Sequence, residues 1–247
     1  MDEHLLRRIK SPYPLLDIIV KQSTPVLSFG DFQMAEVLTL GINPSNLEFE
    51  DNKGELLKNN LRRLQTYSSI KTLDHRSLSD DNAQKILEGC LNYFSRRPYK
   101  WFDKFNPILK EIGFSYTSHP FAAHVDLVQW ATKTKWGELT LDQKKILIED
   151  GRSFLEYQLD SDSLKMILLN GRTVIDSFKE WSDVELNKTQ FEIRKGKNIE
   201  IVTGMYKNRV RIIGWSVNIQ SSFGVSKEDI ERLASKVQSL FDIPSST

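Results

Sequence analysis

The chain of 247 residues contains one cysteine, Cys90, and no long apolar run. A single thiol cannot form an internal disulfide, a four-cysteine zinc site or a cysteine-ligated iron–sulfur cluster. The longest stretch without charge, residues 212–226, is rich in Ser, Asn, Gln and Gly. Such a segment is too polar to span a bilayer, so we expect no membrane partner.

The sequence also lacks an excess of charge of either sign and a metal-binding pattern. Its 34 Lys and Arg residues against 33 Asp and Glu residues give a net charge of +1, so a nucleic-acid site would have to be a local patch. The acidic start Met-Asp-Glu-His does not resemble a secretory signal, and we expect a cytoplasmic protein. The four histidines lack metal-ligand spacing, and no Gly-x-x-x-x-Gly-Lys phosphate loop is present. We therefore expect neither a metal nor a cofactor.

Short apolar runs alternate with amphipathic segments, a pattern that predicts an α/β fold with a mostly parallel sheet. We expect an N-terminal helical extension over residues 1–24 and a single domain over residues 25–247. The predicted strands are 37–40, 122–128, 164–169 and 210–213, with a hairpin around 195–198. The predicted helices include 55–67, 140–159, 172–181 and 226–241.

Ligands of open α/β sheets bind where loops leave the carboxyl ends of the strands. Three such loops carry polar side chains: 41–45, the segment around Asp126, and 214–222. In the first, Gly41 lets the backbone turn after a strand, and Pro44 holds Asn43 extended with its amide free to enter a cleft. The alternative is a turn that only ends the strand.

The segment Gly41-Ile42-Asn43-Pro44-Ser45 resembles the first motif of the uracil-DNA glycosylase superfamily. It is closest to the Gly-Ile-Asn-Pro-Gly of the mismatch-specific thymine/uracil branch. The resemblance covers roughly residues 25–240, because segments similar to later family motifs follow in the right order. These segments are Trp101-Phe102 with Leu109 and Gly113, Val125–Val128 with Thr132, Met166–Gly171, and 214–222.

The resemblance implies a three-layer sandwich with a central four-stranded sheet, and hydrolysis of the bond between a base and deoxyribose. In the family, the target nucleotide is flipped out of the helix into a pocket. The family's water-positioning Asn corresponds to Asn43. An amide suffices for this role because an oxocarbenium-like transition state needs an oriented water more than a strong base.

Two departures from the family pattern bear on the substrate. Asp126 stands where the family usually has Asn, and an ionised carboxylate only accepts hydrogen bonds, which favours the amino group of a cytosine-type base. Asp126 could instead help orient the water, cap a helix or pair with a Lys. Gly214 stands where the family usually has a side chain over the base, which leaves space for a bulky substituent, unless Gly214 only serves a tight turn.

We therefore expect a monofunctional, monomeric DNA glycosylase that removes a modified, bulky, cytosine-type base, in repair or in defence against phage with modified DNA. One alternative is a conventional uracil or mismatched-thymine glycosylase, and another is a non-catalytic nucleic-acid or nucleotide-binding protein of the same fold.

The expected catalytic residues are Asn43 and Asp126. The expected base pocket comprises Gly41, Ile42, Pro44, Phe49, Asn170 and Gly214, where Phe49 is either a stacking platform or core packing. The expected partner is DNA, as a duplex or a single strand, and the expected contacts come from Ser45, Arg209, Arg211, Ser216, Asn218, Gln220, Ser221 and Ser222.

Overall fold

The computed structural model describes residues 1–220 and 224–242. Short 3-10 turns occupy several loops, among them Asn46–Glu48 and Lys100–Phe105. In chain order, the described helices and strands are α1 (Glu3–Ile9), β1 (Val37–Gly41), α2 (Asp80–Leu91), α3 (Asn106–Glu111), β2 (Ala122–Asp126), α4 (Leu141–Leu159), β3 (Met166–Asn170), α5 (Arg172–Ser182), β4 (Asn187–Arg194), β5 (Lys197–Tyr206), β6 (Val210–Trp215) and α6 (Lys227–Phe241).

The strands form one open, mixed sheet in the order β2-β1-β3-β6-β5-β4. β1, β3 and β6 run parallel, whereas β5 is antiparallel to both β6 and β4. The predicted α/β class is confirmed, but the sheet has six strands in place of the expected four, and β4 and β5 add antiparallel pairs. The hairpin expected around 195–198 joins the sheet, because β5 pairs with β6 from Ile201↔Trp215 to Tyr206↔Val210. A glycosylase-like arrangement of the layers stays a prediction.

Local sequence explains why the regular elements begin and end where they do. β3 is buried along its whole length, as expected of an apolar run in the parallel part of a sheet. Thr140 caps α4 and Ser226 caps α6, each through a capping box that satisfies backbone N–H groups of the first turn. No helix in residues 1–220 and 224–242 is long and apolar enough to cross a membrane.

Contacts group the chain into two compact units. Unit 1 comprises Met1–Gln33, Gly41–Tyr99 and His124–Asp162, and within it α1 packs against α2 and α4. Unit 2 comprises Met34–Leu40, Lys100–Ala123 and the described part of Ser163–Thr247. Within unit 2, α5 packs on β3 and β6, and α6 packs on α3 and β4.

Two segments that were expected to be helical are mostly irregular. The predicted helix over 55–67 is wrong, because backbone groups near both of its ends bond to earlier residues: Leu57 N–H donates to the carbonyl oxygen of Phe49, and Tyr67 N–H donates to that of Gln22. Only Asn59–Leu61 forms a 3-10 turn there. The expected helical extension over 1–24 is helical only in α1, and the expected boundary after residue 24 falls inside unit 1.

Candidate catalytic site

The side-chain amide of Asn43, in the loop after β1, is held in one orientation. Its Nδ2 donates to Thr132 Oγ1 and to the carbonyl oxygen of Pro44, both at 3.1 Å. Thr132 Oγ1 gives its own proton to the carbonyl oxygen of Thr134 at 2.7 Å, so it must accept from Asn43. Since both partners are acceptors, the amide nitrogen faces them and Oδ1 faces away. No donor in residues 1–220 and 224–242 is bonded to Oδ1.

Asp126, at the end of β2, is a buried carboxylate with 4% of its surface exposed. Its Oδ1 lies 3.4 Å from Nε2 of His124, which is equally buried. The two side chains lie on the same side of the strand because residues two apart share a face. Both press against Gly41, where an added Cβ would collide with Asp126 Oδ1 and lie 2.9 Å from His124 Nε2. Gly41 is therefore required by close packing, and not only by a turn.

Backbone hydrogen bonds hold the Asn43 loop beside the end of β2. Leu127 N–H donates to the carbonyl oxygen of Gly41 at 3.1 Å, and Val128 N–H donates to that of Ile42 at 2.9 Å. The buried side chain of Gln129 donates to the carbonyl oxygens of Asp126 and Leu127, which fixes the turn that follows. Unit 1 thus anchors side by side the two segments that carry the Asn43 amide and the buried Asp126 carboxylate.

The other predicted residues of this loop are used in packing and capping. Pro44 is buried, Ile42 is half-buried, and the ring of Phe49 is 1% exposed, which matches the core-packing alternative for that residue. Ser45 caps the 3-10 turn that follows, since its Oγ accepts from Leu47 N–H at 3.2 Å. This local bond occupies an acceptor site of the hydroxyl that was expected to contact DNA.

A buried carboxylate in this loop, Glu48, was not singled out by sequence. Tyr93 donates its hydroxyl proton to Glu48 Oε2 at 2.7 Å and accepts from Tyr99 N–H at 2.9 Å. Burial and the Glu48 charge raise the pKa of Tyr93, so its hydroxyl remains a donor at all ordinary pH. Arg63 completes the support by donating to the carbonyl oxygen of Leu47 and lying over the Tyr99 ring.

In unit 2, the predicted pocket residue Asn170 has all of its hydrogen-bonding capacity filled. Its Oδ1 accepts from Trp215 Nε1 at 2.9 Å and from Ile219 N–H at 3.1 Å. Its Nδ2 donates to Asn218 Oδ1 at 3.0 Å and to Gln220 Oε1 at 2.8 Å. An amide offers two donors and one oxygen with two lone pairs, so nothing remains for a base. Asn170 organises the loop after β6 in this structure.

Gly214 does not provide the space that was expected above a base. It lies inside β6, opposite Leu169 of β3 and Val202 of β5. An added Cβ would lie 2.8 Å from Val202 Cγ2 and 2.9 Å from Leu169 Cβ. The predicted pocket role is therefore corrected: the side chains of the neighbouring strands fill the space beside this glycine.

The loop after β6 bonds to itself and to neighbouring backbone. Ser216 Oγ accepts from Glu200 N–H, which continues the pairing with β5. Asn218 Oδ1 accepts from Gln220 N–H at 2.9 Å, and Gln220 Nε2 donates to the carbonyl oxygen of Trp101 at 3.4 Å. The predicted contacts at Ser221 and Ser222 lie outside the described residues.

Arg209 and Arg211 were expected beside this loop, but they lie at the opposite end of β6. Arg211 stands opposite Met166, the first residue of β3, and donates to the carbonyl oxygens of Leu240 and Phe241. Arg209 donates to the carbonyl oxygen of Leu164 at 3.3 Å. Because a strand rises about 3.3 Å per residue, Arg209 is roughly 20 Å of chain from Ser216. The expected place of both arginines beside the loop after β6 is thus corrected, while their DNA-binding role stays a prediction.

The sequence analysis did not single out His124, although its spacing from Asp126 could have identified it. It stands two residues before Asp126 in a predicted strand, and period-two alternation places the two on one face. Thr132 belongs to the segment that resembles the family pattern, but its hydrogen bond to Asn43 follows only from the fold. Nothing in the local sequence distinguishes the buried Glu48 from a solvated glutamate. Residues 1–220 and 224–242 contain no group of three or more His, Cys, Asp or Glu side chains suited to a metal ion.

No protein-family model matches the chain, and no curated protein matches it significantly.

Proposed function

We propose that this protein is a DNA glycosylase that hydrolyses the N-glycosidic bond of a flipped-out base and leaves an abasic site. The observation that carries the proposal is the Asn43 amide, whose nitrogen is held by two acceptors while its oxygen has no described donor. An oxygen held in this way can accept a hydrogen bond from a water and fix the direction of that water's lone pair. The motif around Asn43 independently resembles that of a glycosylase family.

In the proposed reaction, DNA delivers its target nucleotide to the site by flipping, since the bond is inaccessible inside the stack. The bond between C1′ and the base breaks, and its electron pair leaves with the base. The water held by Asn43 Oδ1 forms the new C1′–O bond, and its proton passes to solvent or to the departing base.

Asp126 supports selection for a cytosine-type base. A buried, ionised carboxylate accepts from an exocyclic amino group but repels a carbonyl oxygen at the same place. An unpaired buried polar group costs about 1–3 kcal/mol, enough to reject uracil by roughly tenfold. The packing around Gly214 removes the reason to expect a bulky substituent, so the proposal concerns the amino group and not the size of the base.

A panel of duplex oligonucleotides tests the proposal. Each duplex carries one unusual base: 5-methylcytosine, 5-hydroxymethylcytosine, uracil, mismatched thymine or 5-hydroxymethyluracil. After incubation, alkali cleaves any abasic site. We expect strand cleavage by the wild type on at least one cytosine-type duplex, and none with Asn43→Ala under the same conditions.

The same panel separates the alternatives. Cleavage confined to uracil or mismatched thymine would favour a conventional glycosylase. DNA binding without cleavage of any duplex would favour the non-catalytic binding protein and contradict the proposal.

A further inference from the structure

The outer edge of β4, in unit 2, is an open edge of the sheet. β4 is the last strand in the strand order, and among the described residues it pairs only with β5. Six of its eight residues are exposed, and only Phe191 and Ile193 are more buried. An exposed edge strand of this length presents backbone N–H and C=O groups that can pair with another chain.

The hydrogen bonds of β5 show which of its residues face β4. The backbone of Glu200 is bonded towards β6, since its N–H donates to Ser216 Oγ and its carbonyl oxygen accepts from Ser216 N–H, both at 2.9 Å. Successive residues of an antiparallel strand direct these backbone groups to opposite sides. Ile199 and Ile201 therefore direct theirs to β4.

The same alternation identifies the backbone groups on the outer edge of β4. Thr189 stands opposite Ile201, and Phe191 stands opposite Ile199, so Thr189 and Phe191 bond to β5. The residues between and beside them direct their N–H and C=O groups outwards. These residues are Lys188, Gln190 and Glu192.

The segment from Lys188 to Glu192, Lys-Thr-Gln-Phe-Glu, is complementary to itself in the antiparallel direction. If a two-fold axis passes beside Gln190, Lys188 faces Glu192 of a second copy and Thr189 faces Phe191 of that copy. Facing opposite charges and facing aromatic and β-branched side chains both stabilise antiparallel pairs. An axis at Lys188 or at Glu192 would instead place like charges opposite each other.

The charged side chains of this segment can each bind a further partner. The Lys188 side chain is 49% exposed, and its Nζ lies 3.4 Å from Glu200 Oε1, which Arg172 also contacts. Glu192 is exposed, and its Oε1 accepts from Gly196 N–H at 2.9 Å. An ammonium group has three donors and a carboxylate has two oxygens, so these contacts leave capacity for an ion pair across the axis.

We propose that two copies of this chain pair through the outer edge of β4, antiparallel, with Gln190 beside the two-fold axis. The two sheets then form one continuous sheet, and Lys188, Gln190 and Glu192 exchange backbone hydrogen bonds with the second copy. Such a contact uses the same surface on both copies, so it closes at a dimer and does not grow into a filament. The proposal is independent of the proposed function, and it differs from the monomer that the sequence led us to expect.

Sedimentation velocity of the full chain at low salt tests the proposal. A contact through one pair of strands is small, so the measurement covers about 1 to 300 µM protein to detect a weak dimer. Lys188→Glu and Glu192→Lys each turn both ion pairs into repulsive pairs, and the double variant restores them with the charges exchanged. Lys179→Glu, at an exposed residue of α5, is the control for the change in net charge.

A fourth variant tests the backbone pairing itself. Gln190→Pro removes the outward N–H at the centre of the segment, whereas the N–H groups that face β5 remain. This variant should stay monomeric over the whole concentration range. Circular dichroism verifies that each variant is folded, and the charge variants decide the matter if Gln190→Pro does not fold.

We expect the wild type to pass from monomer to dimer over this range, and Lys179→Glu to do the same. Each single reversal at Lys188 or Glu192 should raise the dissociation constant of the dimer by about tenfold or more, and the double variant should return to within about threefold of the wild type. The proposal is wrong if the wild type stays monomeric, if its dimer is unaffected by the single reversals, or if the double variant does not recover.

Discussion

Two asparagines stand at the carboxyl ends of parallel strands in this molecule, and their side chains are used in opposite ways. Asn43 follows β1, and its amide oxygen has no donor among the described residues. Asn170 ends β3, and both its oxygen and its nitrogen are fully bonded within unit 2. A polar residue at the carboxyl end of a parallel strand is therefore a candidate catalytic residue only if its neighbours leave one of its polar atoms without a hydrogen bond.

The comparison predicts that truncation to Ala has different effects at the two asparagines: at Asn43 it lowers the rate of excision, and at Asn170 it lowers the stability of the fold. Asn43→Ala removes the group that orients water, so the single-turnover rate should fall by roughly 10²–10³-fold, or about 3–4 kcal/mol. DNA affinity should change little, because phosphate contacts dominate binding. Quenched-flow excision assays with filter-binding controls measure both quantities. A folded Asn43→Ala protein with near-normal turnover would remove Asn43 from the mechanism.

For Asn170→Ala the expected loss is in stability. Trp215 Nε1 and Ile219 N–H would be left buried without their acceptor, at about 1–3 kcal/mol for each group. The melting temperature should fall by roughly 4–24 °C in thermal unfolding, because 1 kcal/mol corresponds to about 2–4 °C in a protein of this size. Asn43→Ala, measured alongside, should melt close to the wild type. The distinction between the two asparagines fails if Asn170→Ala melts normally yet loses excision completely.

The smallest effect should come from Thr132, the residue that orients the Asn43 amide. Thr132→Val keeps the shape of the side chain and removes the acceptor of the Asn43 Nδ2 bond. One neutral hydrogen bond contributes about 0.5–1.5 kcal/mol, so excision should slow by roughly 3–10-fold. Thr132→Ser restores the acceptor and should recover most of the rate. If the Ser variant is as slow as the Val variant, the Thr132 hydroxyl does not set the orientation of the Asn43 amide.

Much of the secondary structure could be read from local sequence. The apolar runs of β1 and β3, the caps at Thr140 and Ser226, and the β4–β5 turn each rest on a few adjacent residues. The segment 55–67 shows the limit of this reasoning. Its leucines have helical spacing, but its backbone finds partners in the preceding loop, and those partners depend on the tertiary fold.

The sequence by itself determined that the chain has an α/β alternation, and it drew attention to Asn43 and Asp126 through a motif of adjacent residues. Only the tertiary structure decided what surrounds the polar groups. In the structure the β4–β5 hairpin extends the sheet, and neighbouring side chains fill the space at Gly214. Arg209 and Arg211 lie at the far end of β6 from the loop that follows it, and His124 lies beside Asp126. The physical reason is that the availability of an atom depends on neighbours distant in sequence. Propensities and motifs along the chain report only on neighbours that are close.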